Sequence, residues 1–283
     1  VEICVVIKVE LVCADNLTWM RAQPADRFDL VFGSPPYLFA RTYGMSKEWQ
    51  WWDDFETYVD HMLEVSTEAA RICKGPVIWV MGCPTRDRNY YPVAEALMVK
   101  WFQTGGDCHM YRPCVYYRVG IPGSGGDDWF RADWEYIICL KRPGKLPWSD
   151  NTACGHEPKY GTGGAMSNRN KDGTRVTHRR QPERNCRTTP EKANPGNVFH
   201  FVVGGGNIGD QLAHENEAPF PEGLPEIFIL SCCPPGGWVL DPFVGSGTTC
   251  EVAQWWGRNS VGVDVRESQI ELCRKRLRWG LKV

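Results

Sequence analysis

No uninterrupted apolar run in this 283-residue chain approaches the roughly 20 residues that a membrane helix needs, so no bilayer-spanning helix is expected. The stretch from Val1 to Cys13 is apolar but broken by Glu2, Lys8 and Glu10, and no small-residue cleavage site follows it. It reads as strands rather than a signal peptide, and the expectation is a soluble, cytoplasmic protein with no membrane partner. CxxC pairs are also missing. The thirteen cysteines are odd in number and many sit inside apolar runs such as Ile137-Ile138-Cys139-Leu140, so they read as reduced core residues and not as a disulfide framework. Cys154 and His156 alone do not make a zinc site, and no metal is expected. Charge of one sign is missing as well, since the formal net charge is only -2. That balance hides an asymmetry: residues 141 to 200 carry twelve Lys/Arg against five Asp/Glu, and the rest of the chain carries twenty against twenty-nine. A basic segment on an acidic body suggests an acidic partner meeting one face. There is no internal repeat.

A chain of this length, 42% hydrophobic, holds one full-sized α/β domain with an insertion, and two independent domains would be cramped. Short apolar runs at Val9-Cys13, Phe28-Phe32 and Val77-Met81 alternate with helical patterns over about 54 to 73 and 92 to 103. That alternation predicts a parallel sheet with crossover helices. Cys114-Val119 and Glu135-Lys141 look like neighbouring strands, and the Gly-rich turn at 123 to 126 between them favours an antiparallel pair. From Gly155 to Asn197 apolar side chains are rare, too few for a separate core. Regular structure resumes near Val198-Val203. A strand at Trp238-Leu240, a helix from Thr248 closed by Gly257, a strand at Ser260-Val263 and a last helix from about Glu267 follow.

Two segments suit chemistry. In Asp241-Pro242-Phe243-Val244-Gly245-Ser246-Gly247-Thr248-Thr249 a strand leads through a tight glycine turn into a helix. Glycines at 245 and 247 let backbone approach a ligand, and a helix N-terminus favours a carboxylate. A bare GxG also occurs for turn geometry alone. Here Asp264 ends the next strand, where an acid can grip two ribose hydroxyls, and together these features point to a nucleoside site. The second segment, Ser34-Pro35-Pro36-Tyr37, follows a buried strand. Alone it reads as a polyproline-type surface loop, but the carboxyl ends of parallel strands are where open α/β sheets bind ligands.

The 241–249 segment resembles motif I of the amino-group DNA methyltransferases, and Ser34-Pro35-Pro36-Tyr37 resembles their motif IV. His214 through Pro221 is similar to the motif preceding the cofactor turn in the permuted, beta-class members, although Glu215-Asn216-Glu217 departs from the usual pattern after the histidine. The resemblance spans residues 9 to 142 and 198 to 278. It implies a Rossmann-like methyltransferase sheet, circularly permuted, with a catalytic half at 1–142, a target-recognition insertion at 143–197 and a cofactor half at 198–283. The cofactor it implies is S-adenosylmethionine, held by Pro219, Phe220, Asp241, Phe243, Gly245, Ser246, Gly247, Thr248, Thr249 and Asp264.

Topology supports the permutation. Only one helix follows Asp264, so the third strand of the cofactor half must come from Glu10-Leu11-Val12-Cys13, which leads into Asp15 and on to Phe28-Phe32. Asp15 is accordingly placed at the adenine end of the cofactor, with a helix N-cap as the other reading and both roles compatible.

By the resemblance, the Ser34 side chain and the Pro35 carbonyl accept hydrogens from an exocyclic amino group, and Tyr37 stacks on a base swung out of double-stranded DNA. The prolines fix φ and set the carbonyl direction in advance. The serine marks N4-cytosine enzymes, while Asp or Asn there marks N6-adenine enzymes, so N6-adenine methylation is the runner-up and a catalytically inactive DNA-binding relative a third reading. RNA or protein-glutamine methyltransferases with similar loops keep the unpermuted order. No cysteine occupies the Ser34 to Tyr37 loop, so a covalent C5-cytosine mechanism is not expected; Cys83, Cys114 and Cys233 read as structural. Trp51, Trp52 and Trp79 read as core. Loop 129–134 and Arg41 with Arg131 are candidate DNA contacts, loop 129–134 equally a capped sheet edge. In the insertion Arg169, Lys171, Arg175, Arg179, Arg180, Arg184 and Arg187 are spaced to meet phosphates, the alternative being a solvated linker. Monomer or homodimer is left open.

Overall fold

The computed structural model describes residues 7–40, 47, 50–104, 109–120, 127–128, 130–159, 168–176, 191–203, 212, 215 and 219–279. Arg41, Arg179, Arg180, Arg184, Arg187 and His214 lie outside them. The strands are β1 (Val9–Cys13), β2 (Leu30–Gly33), β3 (Val77–Met81), the hairpin β4 (Thr85–Arg86) and β5 (Asn89–Tyr90), β6 (His109–Met110), β7 (Cys114–Val119), β8 (Trp134–Lys141), β9 (Asn168–Arg169), β10 (Arg175–Val176), β11 (Val198–Val202), β12 (Trp238–Asp241) and β13 (Asn259–Asp264). The helices are α1 (Asn16–Arg21), α2 (Phe55–Ile72), α3 (Val93–Gln103), α4 (Gly223–Cys232), α5 (Thr248–Trp255) and α6 (Glu267–Trp279).

The main sheet runs β1-β13-β12-β2-β3-β8-β7-β11, with β6 added beside β8. The five strands from β1 to β3 are parallel. β8 is antiparallel to β7, as the Gly-rich turn predicted, and also to β3, while β11 returns parallel to β7. The expected permutation is visible in the register: β1 pairs in parallel with β13, Cys13 opposite Asp264.

Side chains alternate between two cores, as the two-residue period of a strand requires. Val31, Val77, Trp79, Met81, Ile138 and Leu140 pack with α1, α2 and α3 on one face. Leu30, Phe32, Ile78, Val80, Ile137 and Val239 pack with α4 and α5 on the other. At the β1 end, α6 places Ile270, Cys273 and Leu277 against Val9 and Leu11. Helix α2 is capped by Asp54, whose carboxylate accepts from the Thr57 N–H at 2.9 Å.

The chain divides into two compact units, Val1–Ser149 with Asn197–Val283, and Asp150–Gly196. Within the second, β9 and β10 form an antiparallel hairpin and His156 bridges Ala193. No helix among the described residues is long and apolar enough to cross a membrane. The ten cysteines among them form no disulfide, and Trp52 and Trp79 are core residues as read.

Candidate active site

β12 and β2 are neighbours, Leu240 opposite Val31. From β12 the chain leaves through α5 to β13, and from β2 it leaves through α2 to β3 on the opposite side. This divergence makes the crevice at a topological switch point, where open α/β sheets bind ligands. The glycine turn after β12 and the Ser34-Tyr37 loop after β2 therefore share one rim, although more than two hundred residues separate them. The approach is close: a Cβ at Gly33 would lie 2.9 Å from Asp241 Oδ1 and 3.4 Å from Trp79.

In the Ser34 loop, Pro35 is buried and Ser34, Pro36 and Tyr37 are half-buried. Ser34 Oγ donates to the Val80 carbonyl of β3 at 3.2 Å. Donating there, the oxygen keeps lone pairs with which to accept. Tyr37 donates its hydroxyl to Glu135 Oε2 at 2.6 Å, and the Cδ2–Cε2 side of its ring lies where a Cβ at Gly82 would be only 2.7 Å away. Burial first, and the Glu135 carboxylate second, push the Tyr37 phenol well above its usual range.

In the turn after β12, Gly245 and Gly247 have φ of 48° and 90°, a region that side-chain-bearing residues rarely enter. The turn opens α5 and is bonded to the next strand, since Gly245 N–H donates to Asp264 Oδ2 at 3.3 Å. Asp264 Oδ1 accepts from the Arg266 backbone at 2.9 Å and from its Nε at 3.3 Å. A carboxylate has about four lone-pair positions, so acceptor capacity remains toward the rim. Asp241 is fully buried, receiving Thr249 Oγ1 at 2.6 Å and the Phe243 N–H at 3.0 Å. Burial raises its pKa to about 7, against the lowering effect of those two bonds. Phe243 lies edge-on to Trp79 and Phe220 edge-on to Phe32, with centroids 5.8 Å apart in each pair, and Pro219 is half-buried beside Phe220. Asp15 caps α1, accepting the Thr18 N–H at 2.8 Å, and sits just past β1 on the same rim as Asp264.

The hydroxyls of the glycine turn face inward. Arg276 of α6, completely buried, donates from Nη1 to the Ser246 carbonyl at 2.9 Å, to Ser246 Oγ at 3.2 Å and to Thr248 Oγ1 at 3.1 Å. Its Nη2 bonds the buried Glu251. Backbone groups and aromatic flanks, rather than these hydroxyls, are what the turn offers a ligand. The sequence reading missed Arg276, Arg118 and Glu135. The signals were present, because Arg276 interrupts the apolar stripe of Cys273 and Leu277, and Glu135 opens an otherwise apolar strand.

The expected DNA contacts fall on both units. Arg131 sits on the loop before β8 and pairs with Asp133 at 4.0 Å, beside a fully exposed Phe130. Arg169 and Lys171 are exposed on the β9/β10 hairpin of the second unit, where Arg175 begins β10. Among the described residues no group of three or more His, Cys, Asp or Glu is placed to hold a metal.

A doubly wound sheet with a nucleoside-type glycine turn and a polar-aromatic loop meeting at its switch point defines a Rossmann-like methyltransferase. The chain belongs to the N6/N4 DNA methylase family, whose model matches residues 28–275. It is 24% identical to the DNA adenine methyltransferase YhdJ of Escherichia coli K12 over 273 residues, which cover 94% of this chain and 82% of that protein. It is 23% identical to the Type II methyltransferase M.ScaI of Streptomyces caespitosus, covering 93% and 79%. The fold matches the cytosine-N4-specific PvuII DNA methyltransferase with a TM-score of 0.70 at 15% identity, over 95% of this chain and 86% of that one. It also matches TTHA0409 of Thermus thermophilus, solved with S-adenosyl-L-methionine, with a TM-score of 0.60 at 21% identity, over 98% and 97%. The chain is thus a DNA amino-methyltransferase of the N6/N4 family.

Proposed function

We propose that this protein transfers a methyl group to N4 of cytosine in double-stranded DNA, without a metal. The observation that carries the assignment is Ser34: its hydroxyl oxygen lies at the switch point, 3.2 Å from the Val80 carbonyl, and has lone pairs with which to accept. An exocyclic amino nitrogen is a weak nucleophile because its lone pair is delocalised into the ring. Ser34 Oγ and the Pro35 carbonyl, accepting its two hydrogens, draw the nitrogen toward a tetrahedral shape and aim its lone pair. Bound S-adenosylmethionine supplies an electrophilic methyl on sulfur. Asp264 holds the ribose, Asp15 lies toward the adenine, Phe220 and Phe243 flank the ligand, and the Gly245–Gly247 backbone meets its methionine end. Tyr37 stacks on the extruded base.

The second unit, with Arg169, Lys171 and Arg175, is the target-recognition segment in this reading, and Arg131 reaches the same DNA. Adenine N6 is the second reading, supported by the activity for which the Escherichia coli relative is named. Mass spectrometry of nucleosides from DNA incubated with enzyme, cofactor and excess chelator tests all of this. N4-methylcytosine is expected. N6-methyladenine alone transfers the assignment to adenine, and methylation that returns only with added metal overturns the metal-free mechanism.

A further inference from the structure

The antiparallel strands β7 and β8 extend the parallel sheet and carry the charged groups of Arg118 and Glu135, which neither motif contains. Glu135 is buried to 8% exposure, and its two oxygens are divided. Oε2 accepts the Tyr37 hydroxyl at 2.6 Å, and Oε1 pairs with Arg118 Nη1 at 2.8 Å. Arg118 Nη2 donates to the Ala132 carbonyl at 2.8 Å, and its backbone N–H donates to Asp133 at 2.8 Å. The chain of contacts therefore runs from the loop before β8, through Arg118 and Glu135, to the hydroxyl of Tyr37. Gly82 fits the ring from the side, because any Cβ there would overlap it.

Burying a carboxylate against a half-buried guanidinium is costly, and an apolar pair of similar volume would stabilise the sheet at least as well. What the ion pair adds is direction. A carboxylate fixed from behind by a guanidinium accepts the phenol at one place, with a charge-assisted bond of short length. Tyr37 follows two prolines that limit its backbone, so fixing the hydroxyl leaves its ring little freedom.

We propose that Glu135, braced by Arg118, is a positioning residue that holds the Tyr37 ring in its stacking orientation before a base arrives. This rests on the reading of Tyr37 as the stacking residue. Preorganisation of this kind acts on turnover, because a displacement of about 1 Å at a reacting centre costs roughly a hundred-fold in rate.

The test uses the full chain with fluorotyrosine placed at position 37, and compares Glu135→Ala, Glu135→Gln and Tyr37→Phe. Without DNA, the wild-type fluorine resonance should be a single narrow line, broadened or split in Glu135→Ala and largely restored in Glu135→Gln, whose amide oxygen still accepts. Glu135→Ala should lower kcat on unmodified genomic DNA by roughly ten- to a hundred-fold, with the KM for cofactor unchanged. In a Tyr37→Phe background, where there is no hydroxyl to hold, the same change should cost little more. An unaltered fluorine line in Glu135→Ala overturns the proposal, as does a full additional loss of kcat in the Tyr37→Phe background. A broadened line with unchanged kcat leaves the positioning intact and removes Tyr37 from base stacking, so the two readings fail separately.

Discussion

Single residues at the switch point carry opposing demands, and Asp241 shows them most clearly. Its carboxylate organises the turn through Thr249 and Phe243, yet it is buried with a pKa near 7. In the unfolded chain it titrates at its ordinary 3.8. Between those values the folded state binds more protons, so its contribution to stability is complete below 3.8 and is lost as pH rises through about 7. Asp241→Asn keeps an acceptor for Phe243 and a donor for Thr249 without the charge. Melting temperatures measured without cofactor should show the variant more stable than wild type at pH 8, with the gap closing as pH falls toward 5.5. A constant gap across that range would mean that Asp241 is not the titrating group. At Gly33 the demand is steric. Gly33→Ala places a methyl 2.9 Å from Asp241 Oδ1 and against Trp79, so both the melting temperature and kcat should fall. Wild-type activity in that variant would show that the two loops are less tightly coupled than their spacing implies.

Among the elements, α6 does more than cover the β1 edge. Through Arg276 it grips the glycine turn from behind, and the buried Glu251 pairs with the same guanidinium. Arg276→Met removes one partner of a buried pair, a change that typically costs about 3 to 5 kcal/mol. The variant should melt markedly lower and bind S-adenosylmethionine more weakly in calorimetry. Adding Glu251→Gln should recover part of the stability, and no recovery would argue that packing rather than the stranded charge accounts for the loss. These elements differ in how far the sequence announces them. β1, β3, α2, α3 and the β7/β8 pair follow directly from apolar period and turn residues, and Asp241 to Asp264 from glycine spacing. α4 does not: Gly223 and Pro225 disguise its start, and it is held by Leu224, Phe228 and Ile229 packing on Phe32 and its neighbours. The Glu135 and Arg276 networks were illegible for a related reason. Each is a contact between distant segments, and only the folded sheet shows which segments meet.

For the whole molecule, both chemical loops depend on one strand order, and their contributions should separate in measurement. Asp264→Ala should weaken cofactor binding by about 1 to 3 kcal/mol, the usual cost of stranding hydrogen-bond partners, while DNA binding without cofactor changes little. An unchanged cofactor dissociation constant would remove Asp264 from the site. Neutralising Arg169, Lys171 and Arg175 together should leave cofactor affinity alone and flatten the dependence of DNA affinity on salt, since each phosphate contact releases counterions. An unaltered salt slope would make the basic segment a linker.

The pairing of β1 with β13 also bears on how the molecule is made. Lys8 bonds Asn259 across 251 residues of chain, and Ala14 bonds Asp264. During synthesis β1 emerges before β13, so the side of β1 that pairs with it stays open until β13 follows. Asp264 therefore joins the rim only after the Ser34 loop has its own strands β2 and β3. A ribosome-stalled chain ending before Asn259 would carry the Ser34 loop and the glycine turn after β12, but neither Asp264 nor the strand that covers β1, and it would be a ready client for chaperones.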